Sequence, residues 1–208
     1  EGEGSLLSRL KDEGLAEGLS AGSGLAWPGG ELFSVSISLT EKGVADYRRV
    51  VQLFFAYMDM LRQQGAQRWL YEEQTRLADL SFRFKHEDDP MGYVSATAAG
   101  MQDYAPLDIL RGPYIMDRYD QAMIDSLLQQ INASNVVVSL SDKSVAADQV
   151  TPHYQVPYSR QTLSGEQLAA WQDSTAADQF HLPQPNEFIA EDVALVSLAG
   201  EKQAQPTV

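Results

Sequence analysis

The chain has 208 residues, 44% of them hydrophobic, and a formal charge of −14. That length can bury the core of one large domain, or of one domain with a tail. So acidic a surface repels phosphate backbones and anionic lipid, which argues against nucleic-acid and membrane-surface partners. The absence of cysteine removes disulfides, iron–sulfur clusters, thiolate zinc sites and a cysteine nucleophile, and no apolar run approaches the ~18 residues of a membrane span.

The sequence opens "EGEGSLLSRLKDEG", with no initial Met, basic n-region or apolar h-region, so no signal peptide is read there. It starts directly on an amphipathic helix, and we expect a piece of a longer chain. Leu6, Leu7 and Leu10 share one face, and Gly14 stands where a left-handed residue would end the helix. The Gly- and Ser-rich "AEGLSAGSGLAW" and the alternating "ELFSVSISLT" are joined by "WPGG", a turn signal. They predict a hairpin whose first strand is a weak edge strand. In the second strand Phe33, Val35, Ile37 and Leu39 face one way and Ser34, Ser36 and Ser38 the other.

Thr40 is placed to cap a long helix ending at Gly65, with the stripe Val44, Tyr47, Val51, Phe54, Met58 and Leu61. A second helix follows at once, with Trp69, Leu77, Leu80 and Phe84 inward, and the short join predicts an antiparallel pair. A third helix is expected from about Pro90. "YAPLDILRGPY" turns, and "DRYDQAMIDSLLQQI" is helical with Tyr119, Met123, Ile124, Leu127 and Leu128 inward. "NVVVSLS" reads as a buried strand. Beyond residue 143 the chain is polar and Pro-containing, with one short helix in "SGEQLAAWQ" and a frayed end at "GEKQAQPTV". The fold class is therefore α+β, an antiparallel sheet with helices packed on one face, followed by an extended strap.

Candidate chemistry is sparse. His86, His153 and His181 have no partner at ligand spacing, and neither H-E-x-x-H nor H-x-x-E-H occurs. "HEDD" at 86–89 has ligand-type residues but reads as a charged loop before Pro90. "GLSAGSG" lacks the Lys-Ser/Thr of a phosphate loop and leads into a strand, so it reads as an ordinary edge strand, or as one that accepts an extended peptide by strand addition. Glu72 and Glu73 are adjacent on a helix and diverge by about 100°, so they form no acid/base pair.

Several blocks resemble a known family. "EGEGSLLSRLKDEGLAEGLSAG", "SVSISLTEKGVADYRRVVQLFFAYMDMLRQQG", "SFRF", "GPYIMDRYD" and "LPQPNEFIAEDVAL" occur in the order seen in the insulinase/pitrilysin family of zinc metallopeptidases, and the likeness covers nearly the whole chain. One departure is Ala190, where the family usually has Pro. The resemblance is to the second, non-catalytic domain of these four-domain enzymes, whose α/β-roll fold duplicates the catalytic domain without its metal. It implies residues 1–143 as most of that domain and 144–208 as a strap leading toward the linker between halves. It implies no catalytic or metal-binding residue in this chain, with zinc held by an HxxEH domain elsewhere in the parent protein. It further implies an exosite for the N-terminal end of a peptide substrate, formed by Glu1 and Gly2 in the opening turn and by Leu19, Ser20 and Ala21 on the edge strand. The implied partners are peptide substrates and other domains of the same chain, and the implied compartment is the periplasm, as in bacterial pitrilysins. The alternatives are a scaffold domain of a non-peptidase relative and a stand-alone peptide-binding module.

Overall fold

The computed structural model describes residues 2–86, 89–173 and 175–194. In chain order the elements are α1 (Leu6–Asp12), β1 (Ala16–Trp27), β2 (Gly30–Leu39), α2 (Glu41–Ala45), α3 (Tyr47–Gln64), α4 (Arg68–Arg83), α5 (Pro90–Gly100), a 3-10 turn at Gly112–Tyr114, α6 (Gln121–Gln130), the short strands β3 (Gln149–Val150) and β4 (Pro157–Tyr158), α7 (Gly165–Trp171) and a 3-10 turn at Ala177–Gln179. They form two compact units, Glu1–Arg68 with Arg118–Gln184, and Trp69–Asp117 with Pro185–Val208. The strands form two antiparallel pairs, β1 with β2 and β3 with β4.

In the first unit α1 closes as its sequence predicts. Ser5 caps it, its side chain accepting from the Ser8 N–H. At the other end Gly14 adopts φ 67°, the Gly14 N–H donates to Lys11 O at 2.9 Å and the Leu15 N–H to Leu10 O at 2.8 Å. This pair of bonds with a left-handed glycine satisfies the last carbonyls and brings Leu15 against Leu10. Both leucines are fully buried in one core cluster with Leu6, Val50, Leu53, Ala56, Met60, Ala176, Ala177 and Phe180. The hairpin turns at Pro28-Gly29, with Gly29 at φ 90°, and pairs Leu19 with Ile37, Ser20 with Ser36 and Ala21 with Val35.

The long helix is interrupted. Asp46 sits at φ −118°, ψ 37°, so α2 ends before it and α3 restarts after it. Gly43 lets the first piece pack closely. A Cβ there would meet Leu15 O at 1.9 Å, so α2 lies hard against the α1–β1 junction. α3 buries Val50, Leu53, Phe55, Ala56, Met58 and Met60, a wider set than the single predicted stripe. The extra faces are covered largely by the strap, with Ala133 beside it on Phe55. Trp171 of α7 stacks at a tilt on Phe55 with ring centroids 6.3 Å apart, and Phe180 meets Tyr57 edge-on at 5.4 Å. α7 carries a full capping box between Ser164 and Gln167.

Other expectations need correction. "NVVVSLS" is not a strand: its residues pair with no strand among those described, Val137 is 95% exposed, and only Val136 packs on a core cluster, that of Phe55, Ala133 and Trp171. An apolar run without a ladder partner has nothing to hold it as a strand. On α6, Met123 and Leu127 are exposed, while Ile124 and Leu128 are half-buried. Phe33 is also exposed, because the distal part of the hairpin extends past the core residues that cover Leu19, Ile37 and Leu39.

In the second unit α5 starts on Pro90, with Asp89 capping the Met91 and Gly92 amides. α4 buries Glu73 rather than its apolar residues; Leu77 and Phe84 are exposed. Phe82 packs on Tyr114 at 5.5 Å, and Ile189 is buried. The predicted frayed end lies outside the described residues.

Trp171→Ala should destabilise the chain by about 3–5 kcal/mol, the usual loss for a buried large aromatic. Val137→Ala should cost less than about 0.5 kcal/mol. Urea unfolding of both variants checks this, and a large loss at Val137 would restore the buried strand that the sequence suggests.

Candidate functional site

The site the sequence singles out is the edge of β1 with the turn before α1. Among the described residues β1 is paired on one side only, by β2, so its outward N–H and C=O groups have no ladder partner. Most of its side chains are Gly, Ala or Ser, which leaves its backbone open to approach. Ser20 and Ala21 are exposed and Leu19 is half-buried, packed against the main core cluster. Leu19 therefore anchors the strand and the other two present it. Gly2 is exposed, and its carbonyl accepts from the Ser5 N–H at 3.2 Å. Glu1 lies outside the described residues.

The inner end of β1 is held by contacts that sequence reasoning missed. Thr40, expected only as a helix cap, does cap α2 through the Gly43 N–H at 3.0 Å. Its hydroxyl also donates to Gly14 O at 2.7 Å, and its own N–H donates to Leu15 O at 3.1 Å. Lys42 Nζ reaches Glu13 O at 2.6 Å. The Glu13 carboxylate takes Arg9 Nε at 2.9 Å and two donors of Arg49, Nε at 3.3 Å and Nη2 at 3.1 Å, a fork-to-carboxylate pairing. One carboxylate thus ties α1 to α3 directly beside the start of β1. The hydrogen bond from Arg49 holds the Glu13 carboxyl below its ordinary range; burial opposes this, and the charges of Arg49 and then Arg9 reinforce it.

Among the described residues no group of three or more His, Asp or Glu side chains is placed to hold a metal ion. The positions that α1 turns inward are Leu6, Leu7 and Leu10, none of which can ligate zinc. The "HEDD" candidate includes Glu87 and Asp88, which lie outside the described residues. Glu73 has a structural partner, accepting the Asn186 N–H at 2.8 Å, so the buried carboxylate ties α4 to the segment around Ile189. A shallow cleft of about 290 Å³ is lined by Arg48, Arg49, Gln52, Gln167 and Trp171, but Arg49 is already committed to Glu13. No described helix is long and apolar enough to cross a membrane.

Comparison with known proteins places the chain in a family. Residues 1–77 match the family model described as the peptidase M16 inactive domain, and residues 82–208 match the middle or third domain of peptidase M16. The chain belongs to this insulinase/pitrilysin family of metallopeptidases. It is 32% identical over 209 residues to the insulin-degrading enzyme of Homo sapiens, covering 99% of this chain and 20% of the relative. It is 30% identical over 194 residues to Protease 3 of Salmonella typhimurium, covering 93% of this chain and 20% of the relative. Its fold superposes on a crystal structure of pitrilysin with a TM-score of 0.88 at 27% identity, covering 96% of this chain and 22% of that one. The chain spans about a fifth of the length of these relatives.

Because the Glu13 carboxyl is lowered from its ordinary value of 4.5, its contribution to stability is fully present above that pH. It is lost as pH falls through the lowered folded value. Glu13→Gln should therefore unfold more easily than the parent at pH 7 and show a shallower loss of stability on acidification below pH 4.5, read by denaturant midpoints across that range.

Proposed function

We propose that this chain is the catalytically silent, peptide-docking part of a zinc metalloendopeptidase of its family, working within a longer protein whose zinc is held in another domain. The observation that carries the reading is the unpaired outer edge of β1 with its small side chains. An extended peptide adds to such an edge through main-chain hydrogen bonds. That mode requires little of the side chains, so Ser20 and Ala21 suffice beside the anchored Leu19, with Glu1 and Gly2 completing the site at the turn. The net charge of −14 favours encounter with basic peptides.

In this role the chain contributes position rather than bond cleavage. Holding one end of a substrate raises the effective concentration of the distant scissile bond at the metal. Zinc, where bound in the parent protein, supplies the activated water. None of the residues described here fits a zinc site, so no chemical step is assigned to them. We further propose a periplasmic location, by likeness to the bacterial members of the family.

The chain should bind an extended basic peptide and cleave none, with or without added zinc. Leu19→Pro removes a ladder donor from the edge strand and should reduce the affinity at least about tenfold, equivalent to ~1.4 kcal/mol, as read by fluorescence anisotropy. Unchanged binding in this variant would exclude the β1 edge as the site, and zinc-dependent, chelator-sensitive cleavage would exclude the silent role.

A further inference from the structure

The strap returns to the opening turn at one point. Ala176, Ala177 and Phe180 are buried in the main core cluster, and Phe180 is fixed edge-on against Tyr57. The next residue, His181, is exposed and reaches Gly4. Its backbone N–H donates to Gly4 O at 3.2 Å. Its ring covers Gly4 so closely that a Cβ there would lie 2.2 Å from Nε2, and Gly4 has φ 76°, a conformation that suits glycine. His181 Nδ1 lies 2.9 Å from Leu182 O. A carbonyl only accepts, so this contact is a hydrogen bond when Nδ1 carries the proton, and it then fixes the ring plane over Gly4.

We infer that His181 is a positioning residue for peptide docking: its ring closes over Gly4, beside the backbone bond, and thereby holds the Gly2–Ser5 turn in the shape that receives the peptide end. The inference rests on the docking reading above. Among the described residues the turn has one bond of its own, from the Ser5 N–H to Gly2 O, and three of its four residues precede the helix cap. A turn closed by one exposed bond opens readily. The clasp ties it instead to Phe180, which is buried. The strap therefore acts on the docking site without touching the peptide.

The test uses the full chain and a C-terminally fluorescein-labelled basic peptide with a free amino end. His181→Ala should weaken binding about three- to tenfold, the range expected for one lost positioning contact. It should speed hydrogen exchange at the Ser5 amide and leave exchange in α3 and the unfolding midpoint unchanged. His181→Phe, which keeps a planar ring over Gly4, should recover most of the affinity. If the wild-type chain binds, Leu19→Pro does not, and His181→Ala binds as wild type does, the clasp is overturned while the docking edge stands. If Leu19→Pro binds as wild type does, or the wild-type chain does not bind, the docking reading is overturned and the inference with it.

Discussion

The first unit is organised by the demands of α3. Its buried residues Val50, Leu53, Phe55, Ala56, Met58 and Met60 are spread round most of the helix circumference when set at about 100° per residue. A helix that is apolar on so many sides must be covered on all of them. α1 and the base of the hairpin cover one side through Leu6, Leu10, Leu15 and Ala16. The strap covers others through Trp171, Ala176, Ala177 and Phe180, and Ala133 after α6 joins Trp171 on Phe55. The polar segment after residue 143 is thus part of the core of this unit, because α3 would otherwise expose Phe55 and Tyr57.

The open edge of β1 follows from the same packing. Leu19, Ile37 and Leu39 lie against the α3 cluster, which fixes the face and register of the hairpin. The Thr40 and Glu13 contacts fix its inner end. β2 occupies one side of β1, leaving the other side as a backbone surface of defined direction. In general, an edge already formed before binding loses less entropy when a strand adds to it.

Local signals were legible wherever neighbouring residues determine the backbone. Leu6, Leu7, Leu10 and Gly14 placed α1 and its stop, WPGG placed the hairpin turn, and Pro90 placed the start of α5. The candidate edge could also be read, since a Gly- and Ser-rich strand beside a cleanly alternating one marks the weaker partner. Signals failed where the outcome depended on residues distant in sequence. "NVVVSLS" has the composition of a strand but, among the described residues, no partner strand beside it. Met123 and Leu127 continue an apolar helical pattern that no second surface covers among the described residues. The close approach of Gly43 to Leu15 O is likewise a contact between segments 28 residues apart.

The sequence by itself determined the α+β class, the membership in the metallopeptidase family and the lack of a metal-ligand motif. Each of these depends on composition, local spacing or ordered blocks of residues. Only the tertiary structure decided which apolar residues are core, that the strap packs on α3, and that His181 lies over Gly4. Those outcomes depend on which surfaces meet, and a linear pattern records that a residue is apolar without recording what will cover it.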